Sequence, residues 1–369
     1  MPIKLPAHQR LLLGAVTQPE TTVELNTADW EMLLRVARAA GLLGFLAVEL
    51  EGRQLFAEIP LRAANQLRSG LLEARKRQQL VRWELNRVHR ALYGMGIPLI
   101  ALKGMGYELA GLRSAEGRVF MDLDVLVPKN NLDEVEARLL HKGWQFDEIS
   151  AYDEHYYRAW SQEIPALIHR HRQTEVDMHH TIAPVVSKLH IDTDLLFAEA
   201  ITGNDGKTRI LNQVDMVLHC AVNLFQNNDL ADGLRDLVDM DDALKSFSRA
   251  SPGFWKSLVA RSEQLALGKP LFYSLSFSRL ILDTPIPPNL EYQLSQRPGP
   301  LARRIMTALV PAALLPLHPD ESSPLARFAR LALYLRSHWI RMPPHLLLLH
   351  VTRKSYMYVF GARHAGQSS

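Results

Sequence analysis

A single cysteine, Cys220, occurs among the 369 residues. That excludes an internal disulfide and a cysteine-based zinc site, and it suits a reducing compartment, so a cytoplasmic location is expected. Long hydrophobic runs are missing too. The longest apolar stretch, Ile305 to Leu317, is interrupted by Pro311 and Pro316. It falls short of the roughly 18 apolar residues that a membrane-crossing helix needs, and no transmembrane segment is expected. The opening MPIKLPAHQRLLLGAV has no apolar core leading to a small-residue cleavage site, which predicts no secretory signal.

Acidic residues are absent from one end. None follows Glu321, whereas Arg327, Arg330, Arg336, Arg341, Arg353, Lys354 and Arg363 all do. These exceed the formal net charge of +3, so the rest of the chain is net acidic. A basic end on an acidic body suits an anionic contact surface: membrane headgroups, nucleic acid or a phosphorylated substrate. The favoured expectation is plainer, that these arginines pair with carboxylates of the folded body. The segment FARLALYLRSHWIRMPPHLLLLHVTRKSYMYVF mixes Arg with Trp, Tyr and Leu. It reads first as a core-packing helix with outward-snorkelling arginines, and second as an interfacial one.

What is present is the balance of a globular chain, with 47% hydrophobic and 22% charged residues. The length exceeds the ~150 residues of one comfortable core, so two or three packed units are expected. Residues 1–95 read as a helical region. It includes Trp30 to Leu50, with Thr27 or Asp29 as N-cap, and an amphipathic helix faced by Val81, Leu85, Val88 and Leu92. Gly94, Gly96 and Pro98 break that texture. Residues 96–191 then read as a small α/β core with strands over 97–102 (IPLIAL) and 121–127 (MDLDVLV). A capping box at Asn131–Glu134 opens a helix that Gly143 ends. Tyr152–Trp160, Ile164–His171 and Thr174–His179 read as antiparallel strands. Residues 192–369 read as a second helical region with a turn at Gly203–Gly206, proline-rich linkers near 284–300 and 311–324, and the basic end.

The chemistry concentrates in MDLDVLV. On a strand, Asp122 and Asp124 project from the same face while Leu123 and Val125 point to the other. Two carboxylates held together repel unless a cation lies between them, and magnesium or manganese suits such hard oxygen ligands. A surface strand with two solvated aspartates is the common alternative for D-x-D alone. Its surroundings argue otherwise. A Lys103-Gly104 turn between strand and helix offers a lysine and backbone N–H groups to phosphates. Arg118 stands four residues before Asp122, and TEVDMHH contributes Asp177.

In order, LKG, R-x-x-x-D-x-D-h-L-V, a helix ending in G-W, and VDMH resemble the DNA polymerase β-type nucleotidyltransferase superfamily. More narrowly they resemble a bacterial group labelled uncharacterised nucleotidyltransferase family proteins, whose pattern RWELNRVHRALYGMGIPLIALKG and LRDLVDMDDAL also follow. The resemblance implies an α+β fold: a small mixed β-sheet nucleotidyltransferase core of five sheet elements, flanked by N-terminal and C-terminal helical regions. It implies that Asp122 and Asp124 hold divalent metal with the nucleotide phosphates. Asp177 completes the metal site and activates an acceptor hydroxyl. Read from the residues themselves, Lys103, Gly104 and Arg118 are expected on the phosphate side, with His179 as a further candidate there. The implied reaction moves an NMP from an NTP to an acceptor, be it a small molecule, sugar, protein or RNA, with release of pyrophosphate. Two departures bear on it. Lys103-Gly104 replaces the superfamily's usual Gly-Ser, and Met121 stands where the narrower group has a small residue. A side chain of that size narrows the phosphate path. It favours a second reading, a nucleotide-binding regulatory protein with little turnover; a third is a toxin-like enzyme modifying RNA or protein.

Lesser signals are read more plainly. His169 and His171 share a strand face, but without cysteine partners a zinc site is not the expectation. His179 is expected either beside the carboxylates as an outer-shell group or on phosphate. Arg235 and Asp239 are expected to form an intrahelical pair, with the alternative that their helix closes over the nucleotide. Asn223, Gln226, Asn227 and Asn228 either contact base or sugar or end a helix in solvent.

Overall fold

The computed structural model describes residues 5–146, 149–227, 230, 233–343 and 345–347. It is an α+β arrangement built around one mixed sheet of seven strands. They are β1 (Ile100–Ala101), β2 (Asp122–Leu126), β3 (Trp144–Phe146), β4 (Leu167–His169), β5 (Glu175–His179), β6 (Ile201–Thr202) and β7 (Arg209–Ile210). Their order across the sheet is β3-β4-β5-β2-β1-β7-β6. The central pair β2–β5 is parallel, as is β1–β7, and the other pairs are antiparallel.

The implied five-element sheet is therefore enlarged by the β6–β7 hairpin, which lies in the stretch expected to be helical. These strands are two residues long, too short for a period of two to mark them. The turn expected at Gly203–Gly206 joins them, with Gly206 at φ 72°.

Helices surround the sheet. The helix Leu61–Ala91 runs 31 residues and buries Val81, Leu85 and Val88 on the expected face. The stretch expected as one helix from Trp30 to Leu50 is two, Thr27–Ala39 and Leu43–Gly52, parted at Gly41 with φ 66°. Asn26, not Thr27 or Asp29, caps the first, its side chain accepting from the amides of Ala28 and Asp29. The helix Leu132–His141 is present, but Asn131 makes no side-chain cap.

One expected strand is wrong. Tyr152–Trp160 lies in a helix, Ala151–Trp160. Ser150 caps it by accepting from the Asp153 amide, Asp153 and Glu154 sit in the first turn, and Arg158 in the last. Tyr152, Tyr156 and Trp160 fall at spacings of four, which gathers them on one face rather than alternating them across a sheet. Nor is residue 311 a linker: Pro311 sits inside the helix Pro300–Leu314.

A continuous hydrophobic core extends from Leu12 through the sheet to Leu333. The basic end behaves differently from expectation. Arg330 and Arg336 of the helix Pro324–Arg341 donate to the carbonyls of Ala313 and Phe225 instead of meeting carboxylates. Arg353, Lys354 and Arg363 lie outside the described residues. Among the described residues no helix is long and apolar enough to cross a membrane.

Candidate active site

The site begins with register. Parallel pairing sets Asp124 of β2 opposite Asp177 of β5. The alternate residues Leu123, Val125, Val176 and Met178 are fully buried on the other face. Asp122, Asp124 and Asp177 thus share a face, and one oxygen from each lies within 4.8 Å of the others. Among the described residues this is the one group of three acidic, histidine or cysteine ligands so placed. The histidine alternative does not assemble: His169 packs edge-on against Trp144, and its Nδ1 accepts from the His171 amide.

The chain reaches this face from β1 through Leu102, whose amide donates to the Asp124 carbonyl. Lys103 follows in a left-handed conformation at φ 42°, and a helix spans Lys103–Leu109. This sharp entry brings Lys103 Nζ to 2.5 Å from Asp124 Oδ1. Gly104 is needed there for closeness, since a Cβ would stand 2.9 Å from the Phe120 ring. On the other side of Asp124, His179 Nε2 lies 2.9 Å from the same oxygen and 3.3 Å from Glu163 Oε2. A bridge between Glu163 and His179 outside the named strands fixes that carboxylate. His179 is buried behind Asp124, with Nδ1 unpartnered.

Arg118 sits in the loop before β2. Gln78 pins that loop from the long helix, its amide donating to the carbonyls of Ala115, Glu116 and Arg118 at 2.7, 2.9 and 2.9 Å. The Arg118 guanidinium meets Asp236 at 2.9 Å and also Asp239, both on the helix Gly233–Ala250. Arg235 bonds Asp239 at 2.7 Å, the intrahelical pair expected. Asn223 donates to Asp236. The side chains of Asn227 and Asn228 lie outside the described residues.

These groups line a cleft of about 260 Å³, walled by Lys103, Gly104, Arg118, Met121, Asp122, Asp124, Asn223 and Asp236, together with Val119 and Phe120. Met121 is at its mouth and two-thirds exposed. Asp177 belongs to the carboxylate group but not to the cleft wall. Glu163 and Asp236 were not anticipated. Asp236 could have been noticed as the acidic residue three before Asp239; nothing local marks Glu163.

The electrostatics show a deficit of positive charge. Burial, then repulsion from Asp124, raises Asp122 to about 6. Burial, then Asp124, Glu163 and Asp122, raises Asp177 to about 8. Burial also pushes Asp124 upward, but Lys103 and His179 outweigh it and hold this carboxyl far below the ordinary range. Burial alone would lower Lys103 and His179; the surrounding carboxylates reverse both and keep them charged more firmly than usual. One lysine and one histidine therefore satisfy Asp124 and leave Asp122 and Asp177 undercompensated.

With this geometry in view, the comparison with known families is decisive. A family model described as uncharacterised nucleotidyltransferase matches residues 26–283. The chain belongs to that family. The resemblance read from LKG, the D-x-D strand and VDMH is thereby borne out. No match was found among curated proteins. Among solved structures, the crystal structure of JHP933 from Helicobacter pylori is similar over 72% of this chain and 95% of its own, at 14% identity and a TM-score of 0.29.

Proposed function

We propose that the protein is a divalent-metal-dependent nucleotidyltransferase that moves a nucleoside monophosphate from an NTP to an acceptor hydroxyl and releases pyrophosphate. The observation that carries this is the meeting of Asp122, Asp124 and Asp177 within 4.8 Å on one sheet face, in a chain of a nucleotidyltransferase family.

The donor set fits magnesium or manganese. It consists of oxygen ligands alone, and burial together with mutual repulsion raises two of the three carboxyls, a repulsion that a divalent cation among them would relieve. When bound, such a metal neutralises charge at the phosphoryl group in transfer and stabilises the entering and leaving oxygens. Asp122 and Asp124 face the cleft and would hold the metal together with the nucleotide phosphates. Lys103 and the Gly104 backbone line the same wall, where an ammonium and a helix start suit phosphate oxygens. Lys103 is engaged by Asp124, so it passes from that carboxylate to phosphate as the nucleotide enters. Arg118, steadied by Asp236 and Asp239, adds positive charge at the far wall. Asp177, outside the cleft wall, is left for the acceptor. It accepts the hydroxyl proton as the new oxygen–phosphorus bond forms at the α-phosphate and the bond to pyrophosphate breaks.

Calorimetric titration of the full chain with an NTP, with and without magnesium, tests the assignment. Asp122→Ala is expected to abolish magnesium-dependent nucleotide binding, while the metal-free variant unfolds at the wild-type temperature or slightly above. Nucleotide binding equal to wild type in that variant sinks the proposal. Transfer of label from an α-labelled NTP, lost in the same variant, distinguishes an enzyme from a binding protein.

A further inference from the structure

The helix Pro324–Arg341 packs against the helix Pro300–Leu314 and buries Ala326, Ala329, Leu333 and Ser337. Its opposite side is not polar. Leu325, Phe328, Leu331, Leu335 and Trp339 are each 57–63% exposed, and spacings of three and four set them along one stripe. Exposed apolar residues scattered singly are ordinary on a surface; five on one face of one helix form a patch. The described chain that follows does not cover it, for Met342, Leu346 and Leu347 pack on Tyr152 and Trp160 instead.

Charge says what suits this patch. Neither the helix nor anything after it contains Asp or Glu. Arg327 is exposed beside the stripe. Arg330 and Arg336 are half-buried and turn towards the body, to the carbonyls of Ala313 and Phe225 and, for Arg336, the Tyr273 ring. Carbonyls leave their charge uncancelled, and with no carboxylate in this segment the helix stays net positive, with Arg327 as its outward cation. A second copy of the chain would set like charge against like charge on this face. An anionic bilayer meets both requirements: leucine, phenylalanine and tryptophan enter the headgroup–acyl boundary while Arg327 meets lipid phosphate. Trp339, near the helix end, has the apolar body and polar N–H that anchor at that boundary.

We propose that the helix Pro324–Arg341 is a peripheral docking surface for anionic lipid bilayers. It is independent of the reaction assigned to the cleft. The test is co-sedimentation of the full chain with vesicles of phosphatidylglycerol and phosphatidylcholine in equal parts, against vesicles of phosphatidylcholine alone, at physiological ionic strength. Binding to the anionic vesicles is expected to be about tenfold tighter than to the neutral ones. The double variant Leu335→Glu with Trp339→Ala is expected to stay in the supernatant with an unchanged unfolding temperature, because neither side chain belongs to the hydrophobic core. Three results overturn the proposal. One is wild-type protein that stays in the supernatant with anionic vesicles, because its own chain covers the stripe. Another is the same failure accompanied by a dimer that Leu335→Glu splits. The third is vesicle binding that survives the double variant.

Discussion

At the scale of single residues, the site is a set of carboxylates that the bare chain neutralises incompletely. Folding raises Asp177 from the ordinary 3.8 to about 8 and Asp122 to about 6. A carboxyl raised in this way stabilises the fold below its unfolded value, and that contribution is lost as pH rises through the folded value. The metal-free protein is therefore expected to lose stability through this pair as pH climbs from 3.8 towards 8. Asp177→Asn is expected to recover about 1–2 kcal/mol at the alkaline end of that window, and magnesium to raise the wild-type unfolding temperature more there than at the acid end. Thermal scans across the window check both, and a wild-type profile matching that of Asp177→Asn at every pH contradicts the account. The D-x-D pair was legible because strand alternation alone puts Asp122 and Asp124 together. Arg118 shows the limit of such reading. Proximity in sequence suggested a phosphate ligand, yet its first partners are Asp236 and Asp239, more than a hundred residues away.

Elements place these residues by close backbone approach. A Cβ on Gly44 would meet the Gly117 carbonyl oxygen at 2.3 Å, and a Cβ on Gly117 would meet Gly44 as closely. The helix Leu43–Gly52 thus rests directly on the loop that carries Arg118 into the cleft. Gly44→Ala is expected to cost about 1–3 kcal/mol by forcing the two apart. It should weaken nucleotide binding more than binding of the metal alone, because Arg118 moves while β2 and β5 do not. Denaturant unfolding and calorimetric titration separate those effects; equal stability of the variant refutes the contact. The elements most visible in sequence were those with long periodic faces, such as Leu61–Ala91. Tyr152–Trp160 was misread because aromatic and tyrosine-rich runs favour strands in general, whereas Ser150 and the spacing of four between aromatics decide for a helix here.

Across the whole molecule, one hydrophobic core links the stretches before residue 96, between 96 and 191, and after 191. Glu84 of the long N-terminal helix is fully buried against Arg172, between β4 and β5, and Arg118 ties the sheet to the helix Gly233–Ala250. Such cross-links predict one cooperative thermal transition rather than separate unfolding of a helical lobe. Scanning calorimetry checks this through the ratio of calorimetric to van't Hoff enthalpy, expected near unity. A resolved low-temperature transition for the first 95 residues would show instead that the N-terminal region unfolds independently.

Alternation and glycine breaks by themselves determined the central strands and the Asp122–Asp124 pair, because these depend on residues near one another in the chain, and the order of the motifs along the chain pointed to Asp177 and to the family. Tertiary structure alone decided that Asp177 stands in register with Asp124, that Glu163 and His179 close the back of the site, and that Asp236 occupies the cleft wall. It also decided that the basic terminal helix turns leucine, phenylalanine and tryptophan outward. These depend on which strand pairs with which and which helix face finds a partner, and those choices are made by burial across long separations that no local pattern records.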